Sequence, residues 1–173
     1  MDKRYLYLFQ REVERQCRFA IMAYQEITHS LQTRDLDILW YSVQAFLMAV
    51  GNVSKLMWPS RPNIPERGPE LRASLSVDEN SPLRPRTFRN HFEHFDERLE
   101  MWMVSSERHN LLDSSVGPPD MVKGFDPRDY LRNFDTTNFA VIFRGDTYLL
   151  NPIIEAVRDL WEKAKIEARK PPW

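Results

Sequence analysis

The sequence predicts a mostly α-helical protein, a bundle of four or five helices carrying a small β-hairpin near residues 139–150. Two observations carry this reading. Apolar residues recur at alternating steps of three and four through the N-terminal third, the period of a helix with one buried face. The 12 prolines, against only 5 glycines, all fall at or after Pro59, so they spare that third and punctuate the rest.

In the first segment Leu6, Phe9, Val13, Cys17, Ala20, Tyr24, Ile27 and Leu31 line one helical face. Polarity rises around Thr33 to Asp35, where either residue suits an N-cap. Leu36, Leu39, Trp40, Val43, Phe46, Leu47, Val50 and Met57 then form a broader apolar face. Two long helices with a short polar turn pack as an antiparallel hairpin, expected over 4–57. Pro59, Pro62, Pro65 and Pro69 remove backbone donors and fix φ, which predicts an irregular proline-rich loop over 58–69. A short helix follows from about Glu70 to Val77, with Leu71 and Leu75 inward.

Thr87 is a reasonable N-cap for the next helix, expected over about 86–103. Its Phe88, Phe92, Phe95, Leu99 and Trp102 make a narrow aromatic stripe that faces a core. From Val104 to Thr137 the periodicity dissolves, and a loop over 104–137 is expected. Phe139–Phe143 and Thr147–Leu150 are β-prone runs flanking Arg144-Gly145-Asp146, a turn signature. Asn151-Pro152 suits N-cap and N1 of a last helix over 152–169, with Ile153, Val157, Leu160, Trp161 and Ala164 on its apolar face. These elements are expected to form one helical domain, 1–173.

Composition limits the functional classes. With 24 basic and 25 acidic side chains, the net charge of −1 argues against broad, non-specific nucleic-acid binding. Cys17 is the single cysteine and cannot form an internal disulfide, which points to a reducing cytoplasm. The longest near-apolar run, Ala45 to Val50, is far short of the ~20 residues that span a bilayer. The charged residues at the N-terminus are unlike a signal peptide. No membrane association is expected.

Chemistry concentrates in Arg89-Asn90-His91-Phe92-Glu93-His94. At about 100° per residue, Arg89, Asn90 and His94 all leave the aromatic stripe. Asn90 and His94 are i,i+4 neighbours. Histidine titrates near neutrality and can take a proton from a ribose 2′-hydroxyl or return one to a leaving oxygen. Arginine donates a planar fork to phosphate and stabilises charge developing on phosphorus. Asparagine can orient the imidazole. The set suits metal-free RNA cleavage through a 2′,3′-cyclic phosphate, and Arg86 and His91 are secondary candidates for substrate contact. The same spacing also fits a solvated helix face.

Arg89-Asn90-x-x-x-His94 in a helical domain of this length resembles the signature of the HEPN (higher eukaryotes and prokaryotes nucleotide-binding) superfamily: an arginine followed by a polar residue, with four to six residues between that arginine and a histidine. The resemblance implies a four- or five-helix bundle, dimeric, with two motif copies facing each other. It also implies metal-independent endoribonuclease activity of the toxin–antitoxin or phage-defence kind, with no cofactor and no metal. Arg89, Asn90 and His94 would be the catalytic residues, RNA the substrate, and an antitoxin or other protein a possible partner. Other members keep the fold as inactive interaction or scaffolding modules. The excursion over 104–137 and the β-hairpin depart from the superfamily's minimal bundle.

Two rival chemistries have less support in the sequence. His91 and His94 could face one metal ion, but Glu26-x-x-His29 is the one Glu-x-x-His pair where a di-iron bundle uses two. His109 falls in the expected loop. Nucleophilic catalysis lacks a glycine-framed serine, and Cys17 lies on an apolar face.

Overall fold

The computed structural model describes residues 1–85, 90–91, 94–105, 111–126 and 129–170. The architecture is mostly helical with a small four-stranded sheet, as the periodicity predicts. The chain divides into two compact units, Met1–Arg86 with Ile153–Trp173, and Thr87–Pro152.

The first unit is built on α1 (Lys3–Thr33) and α2 (Leu36–Met57). Asp2 caps α1 by accepting from the Arg4 N–H at 2.7 Å. Arg34 ends α1 in the left-handed region, at φ 59°. Asp35 then caps α2, its carboxylate accepting from the Ile38 N–H at 3.1 Å. With so short a turn the helices pack antiparallel. Tyr24 meets Phe46 at 6.1 Å between ring centroids, and Asn52 donates to Gln16 Oε1 at 3.2 Å. The buried seam holds Val13, Cys17, Ala20 and Ile27 from α1, and Leu39, Val43, Phe46 and Val53 from α2. By length and composition α2 could cross a membrane, yet this seam buries much of its apolar surface against α1.

The short helix α3 (Arg67–Ser74) starts earlier than about Glu70, because Pro69 sits in its first turn, where no intrahelical N–H is required. Leu71 and Leu75 turn inward as expected. Gly68 permits its close approach to the end of α2, since a Cβ there would lie 2.9 Å from Met57 O. The prolines of the preceding loop and Trp58 line a cleft of about 860 Å³. Arg72 lies over the Trp58 ring and pairs with Glu79, which accepts from Trp58 Nε1 at 3.1 Å.

The second unit contains α4 (Phe95–Ser105) and strands β1 (Ser115–Val116), β2 (Arg132–Asp135), β3 (Ala140–Phe143) and β4 (Asp146–Leu149). The sheet order is β1-β2-β3-β4, with β1 parallel to β2 and the other pairs antiparallel. The expected hairpin is present. Its two-residue turn is Arg144-Gly145, at φ 48° and 90°, the backbone twist that matches the flanking strands.

The expected loop over 104–137 needs correction, because β1 and β2 lie inside it. The alternation of β2 was hidden by polar residues that are buried: Asn133 is 2% exposed and Asp135 1%. Asn133 Nδ2 donates to Gly117 O at 3.3 Å. Asp135 accepts from Thr137 N at 2.8 Å and Asn138 Nδ2 at 2.7 Å. On one side of the sheet Trp102, Leu131 and Phe143 form the core, with Phe95, Leu99 and Tyr148 against it. The described members of the aromatic stripe thus face a core. Thr87, Phe88 and Phe92 lie outside the described residues.

The last helix, α5 (Leu150–Glu167), begins directly after β4, with Pro152 in its first turn. Val157, Leu160 and Ala164 are buried as expected, together with Ile154. Trp161 Nε1 donates to Glu14 Oε1 on α1 at 3.1 Å, which fixes α5 in the first unit.

Candidate functional site

Asn90 and His91 are helical, and the turn continues into α4: His94 N donates to Asn90 O at 3.1 Å, and Arg98 N to His94 O at 3.1 Å. Asn90, His94 and Arg98 therefore follow one another at steps of four along one side of the helix. Arg89 and Arg86 lie outside the described residues, as do Glu93 and His109.

The two histidines have different surroundings. The His94 side chain is 53% exposed, and its Nδ1 lies 3.3 Å from Glu97 Oε1. A carboxylate at Nδ1 favours the tautomer with the proton on that nitrogen and leaves the Nε2 lone pair for another proton. Among the described residues nothing is bonded to Nε2.

His91 turns onto the sheet and is 12% exposed. Its ring stacks on Phe143 at 4.6 Å and 17°. Nε2 lies 2.9 Å from the Tyr148 hydroxyl and 3.2 Å from Asp146 Oδ2, while Nδ1 is buried without a partner. The structure therefore separates the two imidazoles that the sequence places three residues apart. His94 faces solvent, and His91 is fastened to the β3–β4 hairpin.

Burial pushes the His91 pKa below its ordinary value of 6.5; Asp146 opposes this, and Arg98 and Arg144 reinforce it. A histidine held neutral in the folded chain binds fewer protons than in the unfolded chain. Its contribution to stability is complete above about pH 6.5 and is lost as pH falls toward the lowered folded value. Urea midpoints of the wild type should therefore fall between about pH 7.5 and about pH 5 by more than those of His91→Phe, which keeps the stacking ring. Equal pH dependence in both proteins would contradict this account of His91.

Sequence reasoning missed Arg98 and Arg144. Arg98 was within reach of a helical wheel extended one turn past His94. Arg144 comes from the hairpin turn, 50 or more positions from the motif, and no local signal marks it. Its Nη2 donates to Ser105 Oγ at 3.3 Å, which brings it back to α4.

Other chemical candidates carry less. The buried Cys17 thiol is pushed upward by burial, which disfavours the reactive thiolate. No group of three or more His, Cys, Asp or Glu side chains able to hold a metal occurs among the described residues. On the sheet face opposite α4, a cavity of about 230 Å³ is lined by Phe125, Tyr130, Asn133, Ile142 and Thr147. Comparison with known proteins finds no matching family model, curated protein or solved structure.

Proposed function

We propose that this chain is a HEPN-like metal-independent endoribonuclease of the toxin or phage-defence kind, cytoplasmic and acting as a homodimer. The observation that carries the reading is His94: a solvent-facing imidazole whose Nδ1 is turned to a carboxylate, one helical turn after Asn90, in the spacing Arg89-Asn90-x-x-x-His94.

In this mechanism His94 Nε2 removes the proton from a ribose 2′-hydroxyl. The freed oxygen attacks the adjacent phosphorus, and the bond to the 5′-oxygen breaks. The leaving oxygen takes a proton from an imidazolium, which in a dimer is the second copy's His94. The products are a 2′,3′-cyclic phosphate and a 5′-hydroxyl. Glu97 holds the His94 tautomer. Arg89 offsets charge developing on phosphorus, and Asn90 orients the site.

A second reading is a catalytically inactive HEPN-like interaction or scaffolding module. It is favoured by exposed apolar side chains on the first two helices: Phe19, Met22, Tyr41 and Met48 offer surface to an antitoxin, another protein or a second copy. The two readings part in one assay. Incubated with single-stranded RNA in EDTA, the enzyme is expected to yield fragments ending in 2′,3′-cyclic phosphate. RNA left intact would favour the module.

A further inference from the structure

Most arginines described in this chain have a carboxylate, a ring or a backbone carbonyl to occupy them. Arg132 pairs with Asp113, Arg72 with Glu79, Arg15 with Glu12 and Arg4 with Asp2. Arg98 and Arg144 differ. Both are half-buried, and among the described residues neither lies within ion-pair distance of an acid. The side-chain bond of Arg98 is a weak one, Nη1 to Met101 Sδ at 3.6 Å, and its Nε is buried with no partner. Arg144 has the neutral Ser105 hydroxyl at 3.3 Å.

Arg98 lies on the edge of the helix that the β3–β4 turn meets at two points, Asp146 at His91 and Arg144 at Ser105. Ser105 lies seven residues after Arg98, two helical turns along the same stripe, so an arginine bonded to Ser105 reaches the edge of α4 that carries Arg98. Electrostatics agrees: burial and the nearby Arg98 both disfavour the Arg144 charge, and Asp146 only partly offsets them. Asp146, which lies 3.2 Å from His91, is largely exposed, and water screens its charge toward the cluster. Two half-buried like charges with no acid in ion-pair distance among the described residues favour an anion, and guanidinium forks match the oxygens of phosphate.

We propose that Arg98 and Arg144 form a phosphate-binding subsite on α4, one helical turn beyond His94. Its assignment to the backbone of an RNA substrate rests on the reading above; its affinity for phosphate does not. A strand held there passes from the scissile group at His94 toward the β3–β4 turn, and the arginines secure the neighbouring phosphate. So small a cluster gives local phosphate recognition in a chain of net charge −1.

The test uses the full chain with two probes, inorganic phosphate and a single-stranded oligodeoxynucleotide. The latter has no 2′-hydroxyl and cannot be cleaved by the proposed route, so binding is read apart from activity. Phosphate should raise the melting temperature of the wild type and not that of the Arg98→Ala/Arg144→Ala double variant. Oligodeoxynucleotide affinity should weaken about tenfold or more in each single variant, and the salt dependence of log K should flatten by about 0.7 per lost contact. Arg61→Ala, in the proline-rich loop, should match the wild type. Circular dichroism of each variant checks that the fold is intact. A phosphate response without any effect on the oligodeoxynucleotide would keep the anion site and overturn its assignment to a nucleic-acid strand. Identical behaviour of wild type and double variant toward both probes would overturn the proposal.

Discussion

His94→Ala is expected to lower RNA cleavage in EDTA by a hundredfold or more while leaving the thermal unfolding midpoint nearly unchanged. The two halves of this expectation have separate causes. A positioned general base contributes about 10²–10⁴-fold to a proton-transfer step, and alanine has no group to replace it. The cost to stability is small because the imidazole is exposed, and its pairing with Glu97 is a surface interaction worth at most about 1 kcal/mol. Cleavage by His94→Ala at the wild-type rate would remove His94 from the mechanism. Lost cleavage together with lost structure would show a structural role instead. His91→Ala is not an equivalent control, because that ring stacks on Phe143 and its loss opens the core of the second unit.

Phe46→Ala should have the largest effect on stability, a loss of about 3–5 kcal/mol by urea unfolding. Phe46 is completely buried in the seam between α1 and α2, with its ring against Tyr24. Removing the ring leaves a cavity between two helices whose antiparallel pairing is held on both sides of it, so the walls can collapse only in part. Domain stabilities of about 5–15 kcal/mol leave such a variant close to unfolding. Tyr41→Ala, in the same helix but 71% exposed, should shift stability by only about 0.5 kcal/mol. A loss below about 1 kcal/mol in Phe46→Ala would mean that this seam is not a main source of stability.

The helical hairpin was legible because its information is local. Periodic apolar residues define the buried faces of α1 and α2, and Asp35 supplies a cap at the boundary between them. The β3–β4 hairpin was legible for the same reason, with Gly145 at a position whose φ of 90° favours glycine. β2 was not. A strand carrying Asn133 and Asp135 on one face reads as loop, because the groups that satisfy them, Gly117 and Asn138, are identified only once the chain is folded. The helices α3 and α5 start three and two residues before the expected positions, each with a proline inside its first turn and not at its boundary.

In the candidate site, the spacing of Asn90 and His94 placed both on one side of a helix, and the helix is there. The division of labour between His91 and His94 was not visible. Sequence places the two about 60° apart, and the hairpin decides which one is covered. That Arg98 and Arg144 have no ion-pair partner among the described residues was equally hidden. An arginine's partner is set by which distant carboxylate the fold delivers: Arg132 receives Asp113, and Asp146 is taken by His91.

Sequence alone determined that this chain is mostly helical and where its long hairpin begins and turns. Those properties follow from backbone geometry over a few residues, where the period of side chains along a helix or strand is the same in any fold. Tertiary structure decided which imidazole stays in water and which polar residues pass for core. It also decided which cations have no acid beside them among the described residues. These depend on contacts between segments far apart in the chain, and a charge or hydrogen-bonding group costs little or much according to what those contacts bring beside it.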